Sequence, residues 1–226
     1  PEYRKRFIAG YNPENNWNVE WEDWETPMKF NTRNWGGGDV LVAPPMNLVN
    51  HGRTKLILKE IQTNRYEAIL KEMKPVLEKW EKEGRSNLFA GISIGTEVSL
   101  NASPIPGDEN FVPRGFRALQ DVYCPKNKPT CGVNQTWTKD ELHEMRKAIL
   151  NSYFVDMAKR AISFGLTKQR IYTHVWSEAE PGEKKYTDAL GASVTLYSRP
   201  GLSLYGKAEE PYGFSVLTDT LEKIGY

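Results

Sequence analysis

Cysteine and histidine are scarce in this chain. Its 226 residues include two cysteines, Cys124 and Cys131, and three histidines, His51, His143 and His174. The histidines are scattered without ligand spacing and none lies close to a cysteine, so a metal-dependent site built on them has little support and no metal or cofactor is expected. There is no excess of one charge either. The net charge is +1 with lysines and acids interspersed, which provides neither a basic field for nucleic acid nor a cationic amphipathic helix for a membrane surface. No apolar run approaches the roughly 20 residues of a membrane-spanning helix. The opening Pro1-Glu-Tyr-Arg-Lys-Arg6 lacks the apolar core of a signal peptide, which predicts a soluble chain, mature or trimmed. Nothing reads as a linker, so one domain over 1–226 is expected.

The two cysteines bracket Pro-Lys-Asn-Lys-Pro-Thr, a composition that favours a loop, and a small disulfide-closed loop is expected between Cys124 and Cys131. Two glycosylation acceptor patterns, Asn101-Ala-Ser and Asn134-Gln-Thr, fall in stretches that also read as loops. Paired cysteines with loop-borne acceptor sites predict a secreted or extracellular glycoprotein.

Periodicity then supplies elements. A capping box at Thr138 and Glu141 opens a helix that runs to Phe164, with Leu142, Met145, Ile149, Tyr153, Met157 and Ala161 at helical spacing and Gly165 as a left-handed stop. An earlier helix covers Tyr66 to Trp80, bent near Pro75 and ending around Gly84. Strands are predicted at Asp39–Ala43, from Leu88 to Ile94, at Ile171–Trp176 and at Ala192–Tyr197, with a last helix from Leu217 to Ile224. Alternating strands and helices predict a parallel α/β fold. Its form is a (β/α)8 barrel lacking strands at its ends, or a smaller complete sheet.

The most informative stretch is Leu88-Phe-Ala-Gly-Ile-Ser-Ile-Gly-Thr-Glu97-Val-Ser. An apolar run of this kind suits a strand covered on both faces, and it ends in a carboxylate flanked by small and hydroxyl residues. In parallel α/β sheets the carboxyl ends of the strands are where chemistry is placed. A second strand end, Tyr172-Thr-His174-Val-Trp176-Ser-Glu178, sets Tyr172, His174 and Trp176 on one face, with Glu178 just beyond. Trp17, Trp21, Trp24 and Trp35 crowd a polar stretch rich in Asn, Glu and Gly. They are sugar-stacking platforms or indoles that anchor a long loop. Tyr197 and Arg199 follow the strand expected at 192–197, where Arg199 is placed to clamp a carboxylate or to form a surface ion pair.

These motifs carry a resemblance. A helix leading into Phe89-Ala-Gly-Ile-Ser-Ile-Gly-Thr-Glu97 resembles the fourth strand of retaining glycoside hydrolases with a (β/α)8 barrel, and Ala43-Pro-Pro-Met-Asn47 and Tyr172-Thr-His174 resemble strand ends that line their sugar cleft. The resemblance implies a carbohydrate substrate, Glu97 as general acid/base, and Asn47 and His174 as cleft-lining residues; the residue patterns themselves add Trp35, Trp176, Tyr197 and Arg199 to the expected sugar-binding set. One departure is Thr96, where the family pattern has Asn. Retaining chemistry needs two carboxyl groups about 5–5.5 Å apart. The resemblance would place the nucleophile on a strand following Tyr226, and on this chain Glu178 is the first partner for Glu97, with Glu209 or Glu210 behind it. A secreted binding or structural glycoprotein on the same scaffold is the competing expectation.

Overall fold

A computed structural model describes residues 58–95, 139–177, 191–204 and 222. Packing divides the chain into two units, 1–62 with 100–138 and 63–99 with 139–226. Apart from the first turn of the first helix, everything described lies in the second unit.

Two helix-to-strand steps dominate it, and they are built alike. Helix α1 spans Leu58–Lys82, continues through Pro75 and carries Lys74–Glu78 and Lys79–Glu83 ion pairs on its solvent side. Gly84 follows with φ +68, a single 3-10 turn covers Ser86–Leu88, and strand β1 is Ile92–Ile94. Helix α2 spans Lys139–Ser163, Gly165 follows with φ +99, a 3-10 turn covers Lys168–Arg170, and strand β2 is Ile171–Thr173. In both steps a glycine two residues past the helix takes the left-handed conformation that other residues adopt only at a cost, and this turns the chain back toward the sheet.

The expected boundaries hold for α2 to within a residue. Helix α1 starts eight positions before Tyr66, and β1 is shorter than the apolar run that announces it. Leu88 belongs to the 3-10 turn and is exposed, and Ser93 is exposed between half-buried Ile92 and buried Ile94. The described part of β1 is thus covered on one face. The physical reason for the late start lies at Gly91, whose φ of +148 breaks the extended path just ahead of Ile92.

Strand β1 pairs in parallel with β2 in the register Ile92↔Ile171, Ser93↔Tyr172, Ile94↔Thr173. After His174 the chain resumes as β3, Val175–Ser177, which pairs in parallel with β4, Leu202–Leu204. An isolated bridge, Tyr172↔Arg199, extends that second pairing back alongside β2. Residues 171–177 therefore form one interrupted central strand with β1 on one side and the 199–204 run on the other.

Helix α2 packs on β1 and β2. Its buried line is Ile149, Leu150, Tyr153, Phe154, Met157, Ala158 and Ala161, which meets a sheet face on which Ile94, Ile171, Thr173 and Val175 are buried. Fully burying a side chain such as Phe154 or Leu150 contributes roughly 1.5–3 kcal/mol each. The small residues Ala158 and Ala161 let the helix approach the sheet closely. Across α1 and α2, Arg160 reaches both Glu67 and Asp156, the latter at 3.3 Å.

The strand expected at Ala192–Tyr197 is absent. Gly191 and Ala192 are helical, and residues 196–198 bend. Thr195 is responsible: its hydroxyl accepts hydrogen bonds from the backbone N–H groups of Tyr197 and Ser198, both at 3.0 Å, and lies 2.7 Å from the Ser198 hydroxyl. A threonine that satisfies local amides in this way competes with a sheet ladder and wins a turn. Tyr197 and Arg199 consequently precede β4 instead of following a strand. The described elements are parallel α/β, and their three strand lines neither make nor exclude a closed (β/α)8 barrel.

Candidate functional site

Toward the carboxyl side of the sheet, β1 ends at Ile94 with Gly95 after it, and the central strand runs on through His174, between β2 and β3, to its end at Ser177. The backbone N–H of His174 donates to the Ile94 carbonyl at 3.0 Å, so the histidine is fixed against the last residue of β1. In sequence Glu97 comes three residues after Ile94, and Glu178 comes directly after Ser177. Both carboxylates thus follow the carboxyl ends of adjoining strand lines, which is the part of the expectation that the described residues bear on. Glu97 and Glu178 themselves lie outside the described residues, as do Trp35, Asn47, Cys124, Cys131, Asn101, Asn134, Glu209 and Glu210, and the elements expected at 39–43 and, Glu222 apart, at 217–224.

Alternation along the central strand follows the expected pattern. Ile171, Thr173 and Val175 are buried, while Tyr172 and His174 are half-buried on the opposite face. Trp176 continues the strand between Val175 and Ser177. The Tyr172 ring lies against Gly91: a Cβ on that glycine would meet the ring at 2.7 Å and the Arg170 carbonyl at 2.5 Å.

Tyr197 and Arg199 stand elsewhere. Arg199 is bridged to Tyr172, on the amino-terminal side of β4, and is exposed. The Tyr197 ring receives the Lys159 ammonium of α2 at 4.8 Å from its centroid, a cation–π contact that occupies one of its faces. The turn at Thr195 moves both residues toward the entry of their strand.

Four residues that sequence reasoning passed over hold this region together. Asn151 on α2 donates from one amide nitrogen to the carbonyls of Ala192 and Val194, at 3.0 and 3.1 Å. Arg170 donates to the carbonyls of Ser86 and Phe89, and its guanidinium lies 5.7 Å from the Phe89 ring centroid. Thr173 and Gly201 meet across the sheet, with the Gly201 N–H donating to the Thr173 hydroxyl at 3.1 Å. The only available signal for them was placement: a polar residue on the core face of α2, a basic residue immediately before a strand, and a glycine opening Leu-Ser-Leu alternation.

A groove runs along α1, lined chiefly by Ile69, Met73, Val76, Leu77, Trp80 and Phe89. Its apolar walls and its position beside Phe89, ahead of β1, set it apart from the strand carboxyl ends. Among the described residues, His174, Tyr197 and Arg199 do not line it.

Among the described residues no helix is long and apolar enough to cross a membrane, and no group of three or more His, Cys, Asp and Glu could hold a metal ion. No family model, curated protein or solved structure matches the chain.

Proposed function

We propose that the protein is a glycoside hydrolase acting on an oligo- or polysaccharide, built on a (β/α)8-type scaffold, with Glu97 as general acid/base and Glu178 as its first partner. The observation that carries this reading is the parallel pairing of β1 with β2. It sets the end of β1, which Glu97 follows in sequence, against His174 of the central strand, four residues before Glu178. Parallel α/β sheets concentrate their chemistry there, and glycoside hydrolysis needs two carboxyl groups facing one sugar ring. His174 and Trp176 come from the same strand end, and Trp35 and Asn47 complete the sugar-binding set. Tyr197 and Arg199 are its weaker members, because each lies toward the entry of its strand.

The chemistry asks two different things of two carboxyls. Glu97 must be protonated at working pH to donate to the leaving oxygen, which requires an environment that disfavours its charge. Its partner must stay ionised to attack the anomeric carbon. The decisive experiment is Glu97→Gln assayed on a panel of aryl glycosides and oligosaccharides. Loss of turnover by two orders of magnitude or more, with sugar binding and thermal midpoint retained, is the expected result. A wild-type protein inactive across the panel but still binding oligosaccharide would instead support a secreted, non-catalytic carbohydrate-binding protein on the same scaffold.

A further inference from the structure

In a regular parallel ladder the Gly201 N–H would donate to the Thr173 main-chain carbonyl, just as the Val175 N–H donates to the Gly201 carbonyl at 3.1 Å. It donates to the Thr173 hydroxyl instead, at 3.1 Å. The displaced carbonyl is turned onto the bare α-carbon of Gly201, so close that a Cβ there would sit 2.1 Å from the Thr173 oxygen. On either side the ladder is ordinary: Thr173 N–H donates to the Arg199 carbonyl at 2.9 Å and Arg199 N–H to the Ile171 carbonyl at 2.8 Å. The irregularity is confined to one peptide unit, the one joining Thr173 to His174, and it is where the central strand is interrupted.

That peptide unit fixes His174. Its carbonyl end is set by Thr173 and Gly201, and its N–H end by the Ile94 carbonyl at 3.0 Å. Local departures from a regular ladder re-aim the next side chain, and they collect beside functional sites. We propose that the Thr173 hydroxyl and the absent side chain of Gly201 are a positioning pair that sets the aim of the His174 imidazole on its face of the sheet. Thr173 stands in for a backbone acceptor, so the peptide can rotate without leaving the part-buried Gly201 N–H unpaired. Gly201 provides the space into which the carbonyl rotates. The importance of this aim for sugar binding rests on the reading given above; the aim itself does not.

The test is long-range ¹H–¹⁵N correlation of the imidazole rings in the full chain without ligand, with His174 assigned by its loss in His174→Gln. Thr173→Val keeps the shape and removes the hydroxyl. It is expected to move the His174 ring signals by more than a line width while those of His51 and His143 stay in place, and Gly201→Ala is expected to do the same. Thr173→Ser restores the wild-type positions. If the valine variant does not fold, Thr173→Ala is read in its place. Folded Thr173→Val or Thr173→Ala protein whose His174 signals coincide with wild type would overturn the proposal and leave Thr173 a purely structural hydroxyl. Because the readout needs no substrate, a protein inactive on every glycoside still decides for or against the pair.

Discussion

Tyr153 and Tyr66 show what burial does to a single phenol. Tyr153, 6% exposed on α2, has its pKa pushed up to about 12, first by burial and then by the Asp156 carboxylate. Tyr66 on α1 is shifted in the same direction, by burial first and then by Tyr153, and its hydroxyl is buried without a hydrogen-bond partner among the described residues. Both groups are neutral in the folded protein over a wider pH range than in the unfolded chain. A folded pKa above the ordinary value of 10.0 means that the stability these phenols contribute is fully present below that value and is lost as pH rises through about 12. Alkaline titration followed by phenolate absorbance should therefore show the Tyr66 and Tyr153 phenols ionising in a late phase above pH 10.0, together with loss of helical signal. Tyr153→Phe removes one phenolate from the late phase. A single smooth transition near pH 10 in folded protein would contradict the burial of both rings.

Between elements, the joint that matters is Asn151. Its amide spans two carbonyls of the 192–194 segment, and the Thr195 turn then hands the chain to β4. Asn151→Ala is expected to destabilise the fold by about 1–3 kcal/mol, because two partly buried carbonyls lose their donor. Hydrogen exchange should show the loss of protection concentrated at residues 197–202, with the central part of α2 little changed. Uniform loss across the unit would mean that Asn151 supports α2 and not the turn.

How far elements were readable from sequence follows from the range of the forces that make them. Helix α2 and its stop at Gly165 were legible because an apolar period and a left-handed glycine are local signals. The strand at 171–176 was legible for the same reason. The strand expected at 192–197 was misplaced because Ala192, Val194 and Leu196 offered an alternating pattern, while the side chain of Thr195 decided for a turn; the Gly-Leu-Ser-Leu run at 201–204 carried the true strand. The exchange between Thr173 and Gly201 had no local signal, since it depends on two strands being brought into register. As for the site, sequence singled out His174 and the glutamates at 97 and 178, and it set Tyr197 and Arg199 after a strand, whereas the Thr195 turn puts them before one.

On the scale of the whole chain, secretory processing is proposed from the sequence alone, from Cys124 and Cys131 with the acceptor sites Asn101 and Asn134. In protein from a eukaryotic source, cleavage after Lys126 without reduction should release Cys124 and Cys131 in one cross-linked product, and the intact mass should exceed that of the bare polypeptide by attached glycan. Two thiols reacting freely in native, unreduced protein would remove the oxidised loop and with it half of that reading.

The central strand also fixes an order of events. Its contact with the 199–204 side spans 26 residues at Thr173 and Arg199, whereas the Arg170 latch onto Phe89 spans 81. Closing a loop roughly three times longer costs about 1 kcal/mol more in chain entropy, before any contact compensates. The unit of α2, the central strand and β4 should thus assemble first, and β1 with α1 should dock onto it afterwards. One backbone records both closures. The Val175 amide, bonded to Gly201, should gain protection early in pulse-labelled refolding, and the adjacent His174 amide, bonded to Ile94, should gain it late. Simultaneous protection of the two would mean that the sheet closes in one step. Sequential protection would make the histidine amide a late hydrogen bond of the sheet, so that the proposed site is completed only when the loop between Ile94 and His174 has closed.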